Sequence, residues 1–200
     1  MSTPKPAREA LLDAVAVVLG RDGIGGLSLR QVALAAGVSH GAPGALFGDR
    51  AGMLAAFAAR GFLRLAEAMA TAATGAADGR AALAATGRAY ASFARAEPEA
   101  FQLMFREDLL RIDDPELSRA REVAYGPLKG AITRAVREGF CPPERADAVL
   151  YGAWAMVHGL ASLMAGGLVP NRFAGRDQAD VVTALTEMYA RSLMPGGDAG

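Results

Sequence analysis

The chain has 200 residues, of which 52% are apolar and 21% are charged, with one cysteine and two histidines. This length is enough for a buried core in one domain or two. Because Cys141 is the single cysteine, an internal disulfide is excluded. The two histidines lack the neighbouring cysteines of a zinc site. The formal charge is zero overall but +2 within residues 1–60, and no run reaches the roughly 18 apolar residues of a membrane span.

No charged-then-apolar leader opens the chain. We therefore expect a cytoplasmic protein with no membrane partner, no metal and no cofactor.

The first helix is predicted over residues 7–21, after an arm that Pro4 and Pro6 keep from being helical. Its apolar residues recur at helical spacing and form one buried face, and three glycines between residues 23 and 26 end it.

Residues 27–54 carry the pattern around which the rest of the chain is organised. Ser28 is a good N-cap, and Gln31 three residues later completes a capping box. Gly37 can adopt the positive φ that ends a helix, and Ser39 is predicted to cap a second helix that begins near His40. Two short helices joined by such a turn are a helix-turn-helix.

Helices are predicted throughout the remainder. Asp49 caps a long helix of about 24 residues, which would span about 36 Å. Further helices are predicted over residues 80–96, 101–105, 113–138, 142–166 and 178–193. Because period-2 alternation is absent, we expect no strands. The sequence predicts an all-α fold of about nine helices, in which the long helix joins a three-helix head to a larger helical bundle.

The N-terminal segments ALLDAVAVVLGRDGIGGLSL and RQVALAAGVSHGAPGALF, followed by a long helix with an apolar stripe, resemble TetR-family transcriptional regulators. The C-terminal part resembles the subgroup with a Trp-x-x-x-His-Gly motif, here Trp154, His158 and Gly159. The resemblance implies a helix-turn-helix DNA-binding domain over residues 5–65 and an effector-binding and dimerisation domain over residues 78–195. It also implies a homodimer formed through the last two helices, with double-stranded operator DNA and a small apolar effector as its partners.

Several head residues are candidates for contact with DNA. Ser28 and Ser39 are also explained by capping alone, and Arg30 by a solvated helix face. The arm residue Lys5 is better explained as part of a frayed terminus. The DNA-binding candidates are Ser28, Arg30, Ser39, His40, Gly41 and Ala42, with Arg50 and Lys5 as phosphate contacts.

The helix that follows the turn departs from the family pattern. The family usually has a tyrosine at the position of Gly44 and polar or basic residues where Ala45 and Leu46 stand. None of these three can make a side-chain hydrogen bond to a base edge. The helix therefore either reads DNA through close backbone approach, thymine-methyl contact and DNA shape, or no longer reads an operator.

An aromatic and methionine set in the C-terminal part is the predicted effector pocket, although residues at this spacing also serve as plain core. These ligand-binding candidates are Phe93, Phe101, Met104, Phe105, Trp154 and His158. No nucleophile elbow, phosphate loop or metal-ligand cluster is present, so we expect no enzyme. The predicted function is a transcriptional regulator, a repressor released by a small hydrophobic effector. The alternative is a dimeric small-molecule binder whose head has lost operator readout.

Overall fold

The computed structural model describes residues 6–169, 172–173 and 175–193. These ranges hold nine α-helices, as predicted, and the fold is all-α. The helices are α1 (Ala7–Gly26), α2 (Leu29–Ala36), α3 (Ala42–Phe47), α4 (Arg50–Ala73), α5 (Gly79–Ala96), α6 (Pro98–Met104), α7 (Pro115–Arg137), α8 (Ala146–Ala165, after a 3-10 turn over Pro143–Arg145) and α9 (Gln178–Arg191).

The first helix follows from its apolar spacing. Leu11, Val15 and Val18 are fully buried along one face of α1. The helix is interrupted at Gly23, which has φ 66° and ψ −177°, and one further turn continues to Gly26. The predicted glycine break is therefore present, but as a kink within the element rather than as its end.

The local signals that frame α2 are confirmed. The Ser28 hydroxyl accepts from the Gln31 backbone N–H at 3.2 Å and donates to the Gln31 side-chain carbonyl at 2.9 Å. Gly37 closes the helix with φ 66°. The Val32 and Ala33 side chains between these ends are fully buried. The Ser28 cap and the glycine thus fix where α2 begins and ends, while the Gln31 side chain bonds to the Ser28 hydroxyl instead of the Ser28 backbone N–H of a full capping box.

The predicted start of α3 is wrong by two residues. The helix begins at Ala42 with Gly41 as its N-cap, and no side chain caps it. Ser39 contributes its backbone carbonyl, which accepts from Ala42 N–H at 3.0 Å, rather than its hydroxyl. Pro43 is then the second helical residue, where a missing N–H costs no intrahelical bond. A proline in the first turn therefore determines the late start.

The chain divides into two compact units. The first comprises residues 1–62 and 99–121, and the second comprises residues 63–98 and 122–200, so that α4 and α7 each contribute to both. In the first unit Met53 and Leu54 of α4 are fully buried. In the second unit α5 packs against α8 and α9, with Leu83, Ile132 and Val149 in its core.

A short β-hairpin precedes α9, so the prediction of no strands is wrong in this detail. Strands β1 (Arg172–Phe173) and β2 (Arg176–Asp177) pair antiparallel around Gly175, which has φ 80°. Two residues per strand are too few for period-2 alternation to be visible in the sequence. Asp177 ends the hairpin and caps α9, accepting from Asp180 N–H at 2.9 Å.

One helical stretch in the described part of the chain, Pro143–Ala165, is long and apolar enough to cross a membrane, with a mean hydropathy of 1.4. A single such helix is weak evidence for a span, because helices of soluble proteins pass the same test. Only 22% of its apolar window is buried within the chain. Much of the apolar surface of α8 is therefore left uncovered.

Candidate functional site

The helix-turn-helix face presents most of the predicted DNA contacts to solvent. Ser28, Arg30, Ser39, His40 and Gly41 are exposed, whereas Ala42 is half-buried. These residues lie on α2 or at its N-cap, in the turn and at the start of α3. The predicted contact Lys5 lies outside the described residues.

Arg50 has a different environment from the other candidates. Its guanidinium is half-buried and donates to the Ile24 carbonyl at 2.7 Å and to the Leu27 carbonyl at 3.0 Å. Ile24 lies in the last turn of α1 and Leu27 directly follows that helix, so Arg50 ties the start of α4 to the end of α1. The sequence does not indicate this bond, because the partners are 23 and 26 residues away.

Few charges of the head are free to meet an anion. Within the described residues 6–62, Arg30 is the arginine with no ion pair or hydrogen bond in the structure. The others are engaged: Arg8 with Glu116, Arg21 with Asp22, Arg60 with Asp13, and Arg50 with backbone carbonyls. The electrostatic attraction of this surface for phosphate is therefore small.

The outward face of α3 is apolar. Gly44, Ala45 and Leu46 are all exposed, and Leu46 is 45% exposed, while Leu34 of α2 is 74% exposed. A Cβ placed on Gly44 would have no neighbour within 4 Å, so its backbone is open to close approach. The face therefore offers methyl groups and bare backbone instead of side-chain donors and acceptors.

A second cluster surrounds Trp154 and His158 in the second unit. The Tyr90 hydroxyl lies 2.8 Å from His158 Nδ1, and the Ser162 hydroxyl lies 3.5 Å from His158 Nε2. The rings of Trp154 and His158 have centroids 5.8 Å apart, and Tyr125 packs edge-on against Trp154 at 5.6 Å. Trp154 and His158 are thus brought together, but with two tyrosines that the sequence did not single out.

Burial keeps this aromatic cluster uncharged near neutral pH. It raises the pKa of the Tyr90 hydroxyl and lowers the pKa of the His158 imidazole. The cluster therefore combines large apolar rings with a few neutral hydrogen-bonding groups, which is the chemistry that recognises a hydrophobic ligand with a small polar group.

The six predicted pocket residues are divided between the two units. Phe93 is buried in α5 of the second unit, whereas Phe101, Met104 and Phe105 belong to the first unit. There the Phe105 ring lies 5.3 Å from that of Phe101 and 5.6 Å from that of Phe62. Phe101 and Met104 are almost completely buried, so they contribute core to the first unit.

Two further residues near α3 form ion pairs that the sequence does not indicate. Arg111 forms an ion pair with Asp49, and Glu116 forms one with Arg8. Each pair joins positions that are distant in the chain, and no local pattern marks such contacts.

In the described part of the chain, no group of three or more His, Cys, Asp or Glu residues could hold a metal ion.

The fold and the exposed turn define a class of protein: an all-α chain with a helix-turn-helix head. Residues 83–189 match the family described as "Tetracyclin repressor-like, C-terminal domain". The chain therefore belongs to the tetracyclin repressor-like, or TetR, family of regulators. None of the curated proteins matches it.

Solved structures agree over nearly the whole chain. A protein with unknown function from Rhodococcus sp. RHA1 is 36% identical, with a TM-score of 0.82 over 95% of this chain and 96% of that one. A TetR-family transcriptional regulator from Streptomyces coelicolor is 27% identical, with a TM-score of 0.66 over 94% and 100%. A regulatory protein in the TetR family from Rhodococcus RHA1 is 16% identical, with a TM-score of 0.72 over 96% and 98%.

Proposed function

We propose that this protein is a cytoplasmic, DNA-binding transcriptional repressor that acts as a homodimer and leaves its operator when a small hydrophobic effector binds. The observation that carries the proposal is the capped and exposed helix-turn-helix of residues 28–47, in a chain that belongs to a family of regulators. The proposal includes no enzymatic role for the chain. The DNA-binding and effector domains are those predicted over residues 5–65 and 78–195.

The apolar face of α3 dictates how the operator is read. With Gly44, Ala45 and Leu46 outward, the helix enters the major groove and contacts thymine methyl groups while its backbone approaches the base edges. Arg30 and His40 add contacts at the edge of this face. Because one arginine of the described head is free, operator affinity is modest and its salt dependence is shallow.

The homodimer forms through α8 and α9, whose outer faces carry large exposed apolar side chains. Tyr151 and Leu163 of α8 are 64% and 46% exposed, and Met188 of α9 is 59% exposed. Exposed apolar residues grouped on neighbouring helices mark a surface that another protein covers. A second copy placed by a twofold axis would bury both faces in one four-helix interface.

The effector binds at the aromatic cluster of Trp154 and His158. These residues and Gly159 support the Trp-x-x-x-His-Gly subgroup. Rings of Tyr90, Tyr125 and Trp154 supply apolar contact, and the Tyr90 hydroxyl and the His158 imidazole supply polar groups that orient the ligand. Operator release then reflects a coupling free energy of about 1–3 kcal/mol between the two sites.

A second function is favoured by one observation, the absence of side-chain donors on the described outer face of α3. On this alternative the protein is a dimeric small-molecule binder whose head no longer reads DNA. The two functions differ in their response to duplex sequence, because a protein that has lost readout binds every duplex equally.

The test is fluorescence polarisation with DNA that flanks the protein's own gene, at about 50 and 200 mM salt. Arg30→Ala is expected to weaken binding and reduce the salt slope by about one, and His40→Ala is expected to weaken binding. The matched control is Arg95→Ala, an exposed arginine of the second unit, which should leave binding unchanged.

A second probe tests how the operator is read. Replacing thymine by uracil in the bound DNA removes only the methyl group, and it is expected to lower affinity if α3 makes apolar contacts. Flanking DNA that binds no better than random duplex at either salt concentration contradicts the repressor and supports the alternative.

A further inference from the structure

Phe47, the last residue of α3, is contacted by Arg111 of the segment between α6 and α7 and by Arg8, which pairs with Glu116 at the start of α7. On one side, Arg111 Nη1 donates to the Phe47 carbonyl at 3.4 Å. On the other, Glu116 accepts from Arg8 at 2.6 Å, and the Arg8 guanidinium lies over the Phe47 ring, 5.6 Å from its centroid. The C-terminal end of α3, the helix predicted to read DNA, is therefore contacted at the Phe47 backbone and at the Phe47 ring.

Arg111 also occupies the joint between α3 and α4. Its Nη2 lies 2.9 Å from Asp49 Oδ2, while Asp49 Oδ1 accepts from the Gly52 N–H at 2.8 Å and so caps α4. The Arg111 backbone N–H donates to the Ala51 carbonyl at 3.3 Å. One residue of the α6–α7 segment thus bonds to the end of α3, to the cap of α4 and to its first turn.

Two glycines leave the room that the guanidinium fills. A Cβ on Gly48 would lie 3.3 Å from Arg111 Nη2. A Cβ on Gly52 would collide with the Phe47 carbonyl oxygen and would also lie 2.7 Å from Arg111 Nη1. Gly48 also has φ 79°, a left-handed conformation that side chains disfavour. The sequence FGDRAG at this joint therefore fits the arginine both sterically and electrostatically.

Helix α3 depends on contacts from other parts of the chain for its stability. It has six residues, two of them glycine or proline, and no side chain caps its start. An isolated helix of this length is unstable in water, so its orientation comes from packing and from contacts at its ends. Pro43 and Phe47 are its buried anchors, and Phe47 is the one that Arg8 and Arg111 both contact.

We propose that Arg111, assisted by the Glu116–Arg8 pair, is a positioning group that holds α3 at the angle required for DNA binding. The segment that carries it, residues 105–116, then sets operator affinity without touching DNA. The consequence for DNA rests on the proposed function, whereas the positioning of α3 does not.

The experiment combines hydrogen exchange at the backbone amides of residues 42 and 44–48 with operator affinity in the full-length protein. Arg111→Gln is expected to accelerate exchange in α3 about three- to tenfold, with a similar loss of affinity, because it removes a partly exposed ion pair and a charge-assisted hydrogen bond. Arg111→Lys keeps the charge beside Asp49 and should recover part of both effects.

The matched control is Arg106→Gln, because Arg106 lies on the same segment but pairs with the exposed Asp108. It should behave as wild type. If Arg111→Gln does not fold, Glu116→Gln, which leaves Arg111 intact, provides the same readout with a smaller effect. Exchange in α3 that is unchanged in these variants, or that rises equally in α1, overturns the inference. Faster exchange in α3 with no specific DNA binding even by wild type supports the positioning role and contradicts the proposed function.

Discussion

Replacing Met188 of α9 with glutamate is expected to weaken the proposed homodimer. The side chain is 59% exposed in the single chain. Complete burial of a methionine contributes about 1.5–3 kcal/mol, so covering the exposed part contributes about 0.9–1.8 kcal/mol. An interface with twofold symmetry contains the residue twice, which gives about 1.8–3.6 kcal/mol and a roughly 20- to 400-fold higher Kd.

Sedimentation velocity over a range of protein concentrations measures this change. The control is Val17→Glu, because Val17 is exposed to a similar extent, 62%, but lies on α1 of the head. Val17→Glu should leave the monomer–dimer equilibrium unchanged. A Met188→Glu protein that dimerises as tightly as wild type, or a Val17→Glu protein that dissociates equally, would refute the assignment of α8 and α9 as the interface.

Two further predictions concern the second unit. Gly79→Ala should lower the free energy of unfolding by about 1–3 kcal/mol in denaturant titrations, because the added Cβ would collide with the Ala135 backbone. The control is Gly130→Ala, which should not lower it, because a Cβ at Gly130 meets no atom within 4 Å. Since burial lowers the His158 pKa, the unfolded chain takes up a proton at higher pH than the folded chain, and stability should fall as pH drops below about 6.5. His158→Gln should remove that part of the pH dependence of the melting temperature, and an identical profile in both proteins would contradict it.

The parts of the fold that the sequence predicted are those with local causes. The capping box of Ser28 and Gln31, the glycine at position 37 and the cap at Asp49 each act within four residues, so they can be recognised without the structure. The apolar stripes of the helices are equally local, and they account for the number of helices. The predicted start of α3 differs from the observed one because a start at Ala42 makes Pro43 the second helical residue. A proline fits that position better than the fourth position, which a start at His40 would give it.

The parts that the sequence could not predict depend on contacts between distant residues. The sequence indicates Arg50 as a phosphate contact, but it does not indicate the bonds of Arg50 to carbonyls more than 20 residues away. Phe101 and Trp154 looked alike as aromatic residues of the C-terminal half, but they lie in different units. Helical spacing shows that a side chain is buried, and it does not show which elements bury it.

The central claim is that the head reads a particular DNA sequence, and the ratio of two dissociation constants tests it most directly. Wild-type protein should be titrated with DNA flanking its own gene and with random duplex of equal length, at the same salt concentration. The account predicts a ratio of at least about 10³, the lower end for specific regulators. Equal constants for the two duplexes would contradict it.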